Sequence, residues 1–288
     1  MANVSPPVKW IGSKTRLAKH ITALIPTTLV YHEPFLGGGA VFLEHINSKF
    51  PAENYYLSDI NDNLINVWLS IQNNCDELCA ILEELENYYH KNDDFDRKKS
   101  VYLSWRNELS DAKDIRQAAV FLALTKTSFN GLVRYNKKGL FNAAFGEDKN
   151  RRGKRGKFGI ENIYSLNKIL RNSNVVFQTQ DFTSSLSKCQ EKDFVYLDPP
   201  YYETNRHIDK LSYSKNGFAI FDHYRLFGCL RDLGSAKVKW LMSNHYCDRI
   251  VQEVELANGN YSFLSLKKMF AGNANNRIET KEILAKNY

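Results

Sequence analysis

The chain has 288 residues, of which 43% are hydrophobic and 25% charged, with a formal net charge of +7. That length suits one large globular domain, or one domain carrying an inserted subdomain, with a substantial buried core. No apolar stretch approaches the length that spans a bilayer, and the first residues lack the uninterrupted apolar segment of a secretory signal, so a soluble, intracellular (cytoplasmic) protein is expected.

The basic balance favours a polyanionic partner, because Lys and Arg placed along phosphates release condensed counterions. Five cysteines, Cys75, Cys79, Cys189, Cys229 and Cys247, are an odd number without zinc or redox spacings, which predicts free thiols and no metal.

In chain order, Lys9-Trp10-Ile11-Gly12-Ser13-Lys14 precedes a helix predicted from about Thr15. A short apolar run at 29–32 predicts a strand, followed by Glu33-Pro34-Phe35, the triple glycine Gly37-Gly38-Gly39, and a helix over 40–46. A second strand over 54–57 ends at Ser58-Asp59, and helical periodicity resumes over 62–71 behind an Asn/Asp-rich start. From there to about Thr125 the spacing predicts a run of helices, with polar breaks near 92–96 and 110–114.

Residues 127–159 turn to Asn, Gly, Lys and Arg and include the basic run 149–157, which predicts an exposed, partly flexible segment. Strand signals return at 175–178, 194–197, 238–243, 261–266 and 279–284, with helices at 163–171 and 222–232. The chain is thus expected to be an interrupted α/β domain, formed by residues 1–72 and 161–288, with a helical insertion over 73–160.

The most specific chemical signal is Asp198-Pro199-Pro200-Tyr201, directly after the apolar strand 194–197. Ligands gather at the carboxyl ends of strands in open α/β sheets. Methylating a nucleobase amine needs acceptors there, because the nitrogen's lone pair is conjugated into the ring until its two hydrogens are drawn out of plane. Asp198 offers a carboxylate and Pro199 a carbonyl; the proline pair stiffens the backbone, and Tyr201 is flat enough to lie on a base that has left the helix. The bland alternative is a strand end with a proline turn and a buried aromatic.

Glycines between strand and helix let backbone approach a ligand, and Asp59 lies about twenty residues on, where an acid commonly binds ribose. Gly37, Gly39 and Phe42 fall on a G-x-G-x-x-G pattern whose last glycine is absent, so a dinucleotide site is not the obvious match. Trp10 beside two lysines can meet a sulfonium by cation–π attraction, though a lone tryptophan is more often core.

Taken together, Lys9 to Lys14, Glu33 to Gly39, Ser58-Asp59-Ile60-Asn61, Ser128-Phe129-Asn130-Gly131-Leu132-Val133-Arg134-Tyr135-Asn136, Asp181-Phe182 and Asp198 to Tyr201 stand in an order that resembles the Dam-type DNA adenine-N6 methyltransferases. The resemblance runs from Val8 to about Leu284. It implies an α/β fold of the S-adenosylmethionine-dependent, Rossmann-like methyltransferase class: a mixed sheet with an inserted helical, hairpin-containing target-recognition subdomain.

It also implies site-specific transfer of a methyl group from S-adenosyl-L-methionine to adenine N6 in double-stranded DNA, by base flipping and direct transfer, with a companion restriction endonuclease as a further partner. By the same resemblance Trp10, Lys14, Phe35, Gly37, Gly39, Asp59, Asp181 and Phe182 contact the cofactor, together with Asp198. Asp198, Pro199, Pro200 and Tyr201 hold the target adenine. Lys9 reads a base, and Phe129, Asn130, Leu132, Arg134 and Asn136 belong to a hairpin that enters the DNA groove, where Arg134 suits a guanine O6/N7 edge. The stretch Phe141 to Lys149 departs from the Phe-Asn-x-Pro-Phe-Gly-Arg-Tyr-Lys pattern of many Dam-like proteins, which leaves a GATC target open. Two other readings stay open: methylation of cytosine N4, which needs the same acceptors, and a DNA-binding module with a vestigial cofactor pocket.

Overall fold

The computed structural model describes residues 4–91, 93–110, 112–136, 138–146, 157–202, 217–267 and 279–288. Their strands form one seven-stranded sheet in the order β3-β2-β1-β4-β5-β7-β6. These are β1 (Val30–Glu33), β2 (Asn54–Asp59), β3 (Asn174–Thr179), β4 (Phe194–Leu197), β5 (Lys239–His245), β6 (Asn260–Lys267) and β7 (Glu279–Lys286). β1 to β5 are mutually parallel, and β7 enters antiparallel between β5 and β6.

All four residues of β4 are buried, as an unbroken apolar run demands of a central parallel strand covered on both faces. Strand order reverses between β1 and β4, so the carboxyl ends of these two strands open onto the crevice where such sheets bind ligands.

The helices are α1 (Ala18–Thr22), α2 (Ala40–Ile46), α3 (Asp62–Asn73), α4 (Cys75–His90), α5 (Phe95–Glu108), α6 (Ile115–Thr127), α7 (Ile160–Arg171), α8 (Phe182–Leu186), α9 (Ile220–Ser235) and α10 (Asp248–Leu256). Asn61 starts α3 by accepting the Leu64 N–H at 3.0 Å, and Asp94 and Asp114 start α5 and α6 in the same way. α6 is buried on every side from Gln117 to Thr125, as a helix apolar all round must be. Its residues share one apolar core with Tyr31 and Phe177 of the sheet and with Trp68 of α3. Trp68 stacks on Phe177 at 5.3 Å. Among the described residues no helix is long and apolar enough to cross a membrane.

Three expectations need correction. α1 begins at Ala18, with residues 15–17 in a turn, so the first helix is shorter than its sequence start implies. α8 and α10 were not anticipated: α8 is five residues, mostly Thr and Ser, while α10 buries only Ile250, Glu253 and Val254.

The third concerns residues 127–146, expected as an exposed, partly flexible segment. The described residues among them, 127–136 and 138–146, form an antiparallel hairpin, as the resemblance implies, with bridges Ser128 to Phe145 and Tyr135 to Phe141. Val133, Tyr135, Phe141 and Ala143 recur at every second position of each arm and are buried, so one face of the hairpin is core. The basic run 149–157 lies outside the described residues except for Lys157.

Candidate active site

The end of β4 carries Asp198 into a buried cluster of charged and hydroxyl groups. Lys14 donates to Asp198 Oδ1 at 2.5 Å, and Ser243, from β5, donates to the same oxygen at 3.0 Å. Asp198 Oδ2 accepts from none of the described residues. Tyr196 in turn meets the Ser243 hydroxyl at 2.9 Å. On the other side, Glu282 of β7 lies 3.4 Å from Lys14 Nζ and accepts the Tyr201 hydroxyl at 2.8 Å. Lys14 sits 5.2 Å from the centre of the Tyr201 ring, which also stacks on His245 at 6.1 Å.

Burial works to strip Lys14 of its proton, but the fields of Asp198, Tyr201 and Glu282 outweigh it and hold the ammonium above the ordinary lysine range. Burial likewise raises Asp198 above the ordinary aspartate value, against the pull of Lys14 and Ser243.

Next to this cluster the glycine turn closes on the N-terminal segment. Gly37 has φ +50°, and a Cβ there would lie 2.8 Å from the indole of Trp10, so Trp10 rests directly on the turn. Gly39, at φ +73°, is as tightly held: a Cβ would meet Trp68 at 2.7 Å. Asp59, at the end of β2, accepts the Gly37 N–H at 3.0 Å and the Asn61 N–H at 2.9 Å, which fixes its carboxylate facing the turn. Beside it Ile60 is exposed.

Phe35 stacks on Phe182 at 5.2 Å, and both touch Phe218. Asp181 caps α8 through Thr183 and takes Arg225 Nη2 at 2.6 Å. Burial of Asp181 would raise its pKa, yet the Thr183 and Arg225 hydrogen bonds prevail and hold it below the ordinary value.

The hairpin stands against the same end of the sheet. The Tyr135 hydroxyl accepts from Asn61 at 3.1 Å and from Asn63 at 3.3 Å, which anchors the hairpin to the start of α3. Gly131 has φ +68°, and a Cβ there would lie 2.7 Å from the Lys9 side chain, so the Lys9 stem lies along the hairpin. Phe129 and Asn130 are exposed at its base, with Asn130 left-handed at φ 54°. Leu132 is half-buried. Arg134 is exposed but braced, donating from Nε to Asn142 Oδ1 at 2.9 Å and from Nη2 to Asn142 O at 3.1 Å. Asn136 is a turn former, its Oδ1 accepting from the backbone of Lys138 and Leu140.

A family model described as D12 class N6 adenine-specific DNA methyltransferase matches residues 10–271. The chain belongs to this family of DNA adenine-N6 methyltransferases. It is 31% identical over 278 residues to the type II methyltransferase M.MjaIII of Methanocaldococcus jannaschii, covering 93% of this chain and 91% of that one. It is 31% identical over 297 residues to the type II methyltransferase M1.LlaDCHI of Lactococcus lactis subsp. cremoris, covering 99% and 96%. It is 29% identical over 279 residues to a DNA adenine methylase of Salmonella typhi, covering 96% and 93%.

The methyltransferase therefore gathers the N-terminal motif, the glycine turn, Asp59 and the Asp-Pro-Pro-Tyr segment around one crevice, with Lys9 and the hairpin at its rim. Phe35, Asp181 and Phe182 form a separate wall. Sequence reading missed Ser243, Glu282 and Arg225. Each is brought in by a strand or helix 40 or more residues from its partner, and none sits in a motif of its own.

Glu33 counts in the sequence only as part of a motif, and in the fold it is a buried carboxyl. Burial pushes it up to about 8, against the donated hydrogen bonds of Tyr31, at 2.6 Å, and the Phe42 N–H. The folded methyltransferase thus keeps a proton that the unfolded chain releases above pH 4.5. Stability from this group is complete below that pH and is lost as pH rises through about 8. Glu33→Gln is expected to flatten the decline in unfolding free energy between pH 5 and pH 9 by a few kcal/mol, because each tenfold gain in proton affinity on folding is worth about 1.4 kcal/mol. Urea unfolding across that range is the measurement, and an unchanged slope in the variant would count against a neutral Glu33.

Proposed function

We propose that the crevice binds S-adenosyl-L-methionine next to an adenine turned out of duplex DNA, and that Asp198 with the Pro199 carbonyl holds the adenine amino group during transfer. The observation that supports this most strongly is the contact between Lys14 and Asp198 at 2.5 Å, which joins the donor-side motif to the base-side motif.

The residues fit such a donor. Lys14 supplies a cation for a carboxylate, Asp59 faces the turn where ribose hydroxyls need acceptors, and Ser58 has a buried hydroxyl with no hydrogen-bond partner among the described residues. Ile60 and the Phe35–Phe182 wall supply apolar surface for a base, and Trp10 an electron-rich face for a sulfonium. The bound donor supplies an electrophilic methyl carbon.

The protein's part is to make the nitrogen nucleophilic. Asp198 Oδ2 accepts one amino hydrogen and the Pro199 carbonyl the other, which pulls the lone pair out of conjugation. As positive charge grows on nitrogen, the carboxylate stabilises it and then takes the released proton. Tyr201 offers its ring to the base, and Lys9 with the hairpin residues Phe129, Asn130, Leu132, Arg134 and Asn136 faces the duplex. In this reading residues 73–160 form the target-recognition part. In the same reading a companion restriction endonuclease is a further partner.

Incubation with plasmid DNA and donor, followed by sequencing for modified bases and mass spectrometry of the nucleosides, tests this. N6-methyladenine at one short motif is expected; N4-methylcytosine would overturn the assignment of the base-side residues. Arg134→Ala is expected to flatten preference at one position of that motif by about tenfold or more, the worth of a bidentate guanine contact. A mismatch panel with the same ranking as the wild type would remove Arg134 as a base reader.

A further inference from the structure

Glu282 belongs to no motif of the sequence, yet it is only 5% exposed and sits among the groups proposed to do the chemistry. Its place follows from strand pairing: β7 runs antiparallel beside β5, with Glu282 opposite His245 and so level with the end of β4. One oxygen, Oε1, both accepts the Tyr201 hydroxyl at 2.8 Å and lies 3.4 Å from Lys14 Nζ.

We propose that Glu282 is a positioning residue for adenine methylation, fixing the Tyr201 ring for the extruded purine and sharing the charge of Lys14 so that Asp198 Oδ2 stays a strong acceptor for the amino group. This rests on the reading of Asp198 and Tyr201 as the base-holding residues.

A tyrosine ring with a free hydroxyl turns about its side-chain bonds, and a stacking surface works only if its plane is set before the base arrives; a hydrogen bond to a buried carboxylate sets it. His245 at 6.1 Å and Lys14 at 5.2 Å bound the ring, and the Glu282 contact fixes its hydroxyl end. Lys14, in turn, holds Asp198 Oδ1 at 2.5 Å, and an ammonium paired with that carboxylate alone would draw charge from both of its oxygens. A second carboxylate 3.4 Å from the same ammonium shares its charge, which leaves Asp198 a better acceptor. Glu282 touches neither donor nor base in this arrangement and acts through Tyr201 and Lys14.

The test compares Glu282→Ala, Glu282→Gln, Tyr201→Phe and the Glu282→Ala/Tyr201→Phe double variant by single-turnover methyl transfer at saturating donor and DNA, and by equilibrium titration of S-adenosyl-L-methionine. Glu282→Ala is expected to lower the transfer rate by about tenfold or more, the usual weight of a hydrogen bond to a charged group, with donor Kd within about threefold of wild type. Glu282→Gln should recover the part of the loss that runs through Tyr201, because its amide oxygen still accepts from that hydroxyl. The double variant should be no slower than the slower single variant.

A wild-type rate in Glu282→Ala, losses that multiply in the double variant, or donor affinity falling in step with rate would each overturn the proposal. If Glu282→Ala does not fold, Glu282→Gln with and without Tyr201→Phe decides it: Tyr201→Phe must slow transfer, and adding Glu282→Gln must then cost less than about threefold. An inactive wild-type enzyme would instead overturn the function on which this rests, which keeps the two failures apart.

Discussion

Asp198→Ala is expected to reduce methyl transfer by about 10²–10³-fold or more while DNA affinity stays within a few-fold of wild type. The acceptor lost is the one whose Oδ2 is open while Oδ1 is tied to Lys14 and Ser243, so its direction is set before substrate arrives. DNA affinity should persist because the proposed phosphate and groove contacts lie elsewhere, along Lys9 and the hairpin.

The wild-type rate should also carry an acid limb above the ordinary aspartate range, since burial raises Asp198 and only the carboxylate can accept the amino hydrogen. Transfer of labelled methyl groups, gel-shift affinity and a pH–rate profile measure all three. Normal turnover in Asp198→Ala would dispose of the mechanism.

Lys14→Ala is expected to have the second largest effect, on stability and on donor binding together. Lys14 is 5% exposed and stands between two carboxylates, so its removal leaves Asp198 and Glu282 facing each other with no counter-charge among the described residues. Removing one partner of a buried pair typically costs about 3–5 kcal/mol; with Asp198 one-fifth exposed to solvent, roughly 2–4 kcal/mol is expected at pH 8.

The cost has a defined pH dependence. Without the lysine Asp198, already raised by burial, titrates higher still when folded, so the deficit should be greatest at high pH and shrink as acid protonates it. Donor affinity should fall about 10- to 100-fold, the worth of a charge-assisted hydrogen bond to a carboxylate. Thermal melts at pH 5.5 and pH 8 with a donor titration check this, and a deficit that grows toward acid would contradict it.

Much of this site was legible in the sequence because its chemistry is local. A strand followed by Asp-Pro-Pro-Tyr, and a strand followed by three glycines, each announce a turn at a strand end, and β4 and α2 occupy the expected residues. Asp59 could be placed because a βα unit fixes where its strand ends.

What was not legible depends on pairing between distant segments. Glu282 reaches Tyr201 only because β7 inserts beside β5 in one register, and a one-residue slip would turn it to the other face. Arg225 reaches Asp181 across 44 residues from one helix to the start of another. The hairpin misleads for a different reason: its Asn, Gly and Lys content reads as solvent-loving, while its core face rests on four residues spread over two arms.

Lys9 and Trp10 are consecutive in the chain, one lying along Gly131 of the hairpin and the other on Gly37 of the glycine turn. A single peptide unit therefore joins the hairpin to the glycine turn, the target-reading edge and the donor pocket of the proposed function, like a short lever. Redesign of the hairpin for a new recognition sequence would tilt that lever, so grafted hairpins should succeed only when the residue opposite Lys9 stays glycine, and evolving specificity is tethered to retaining the methyl donor.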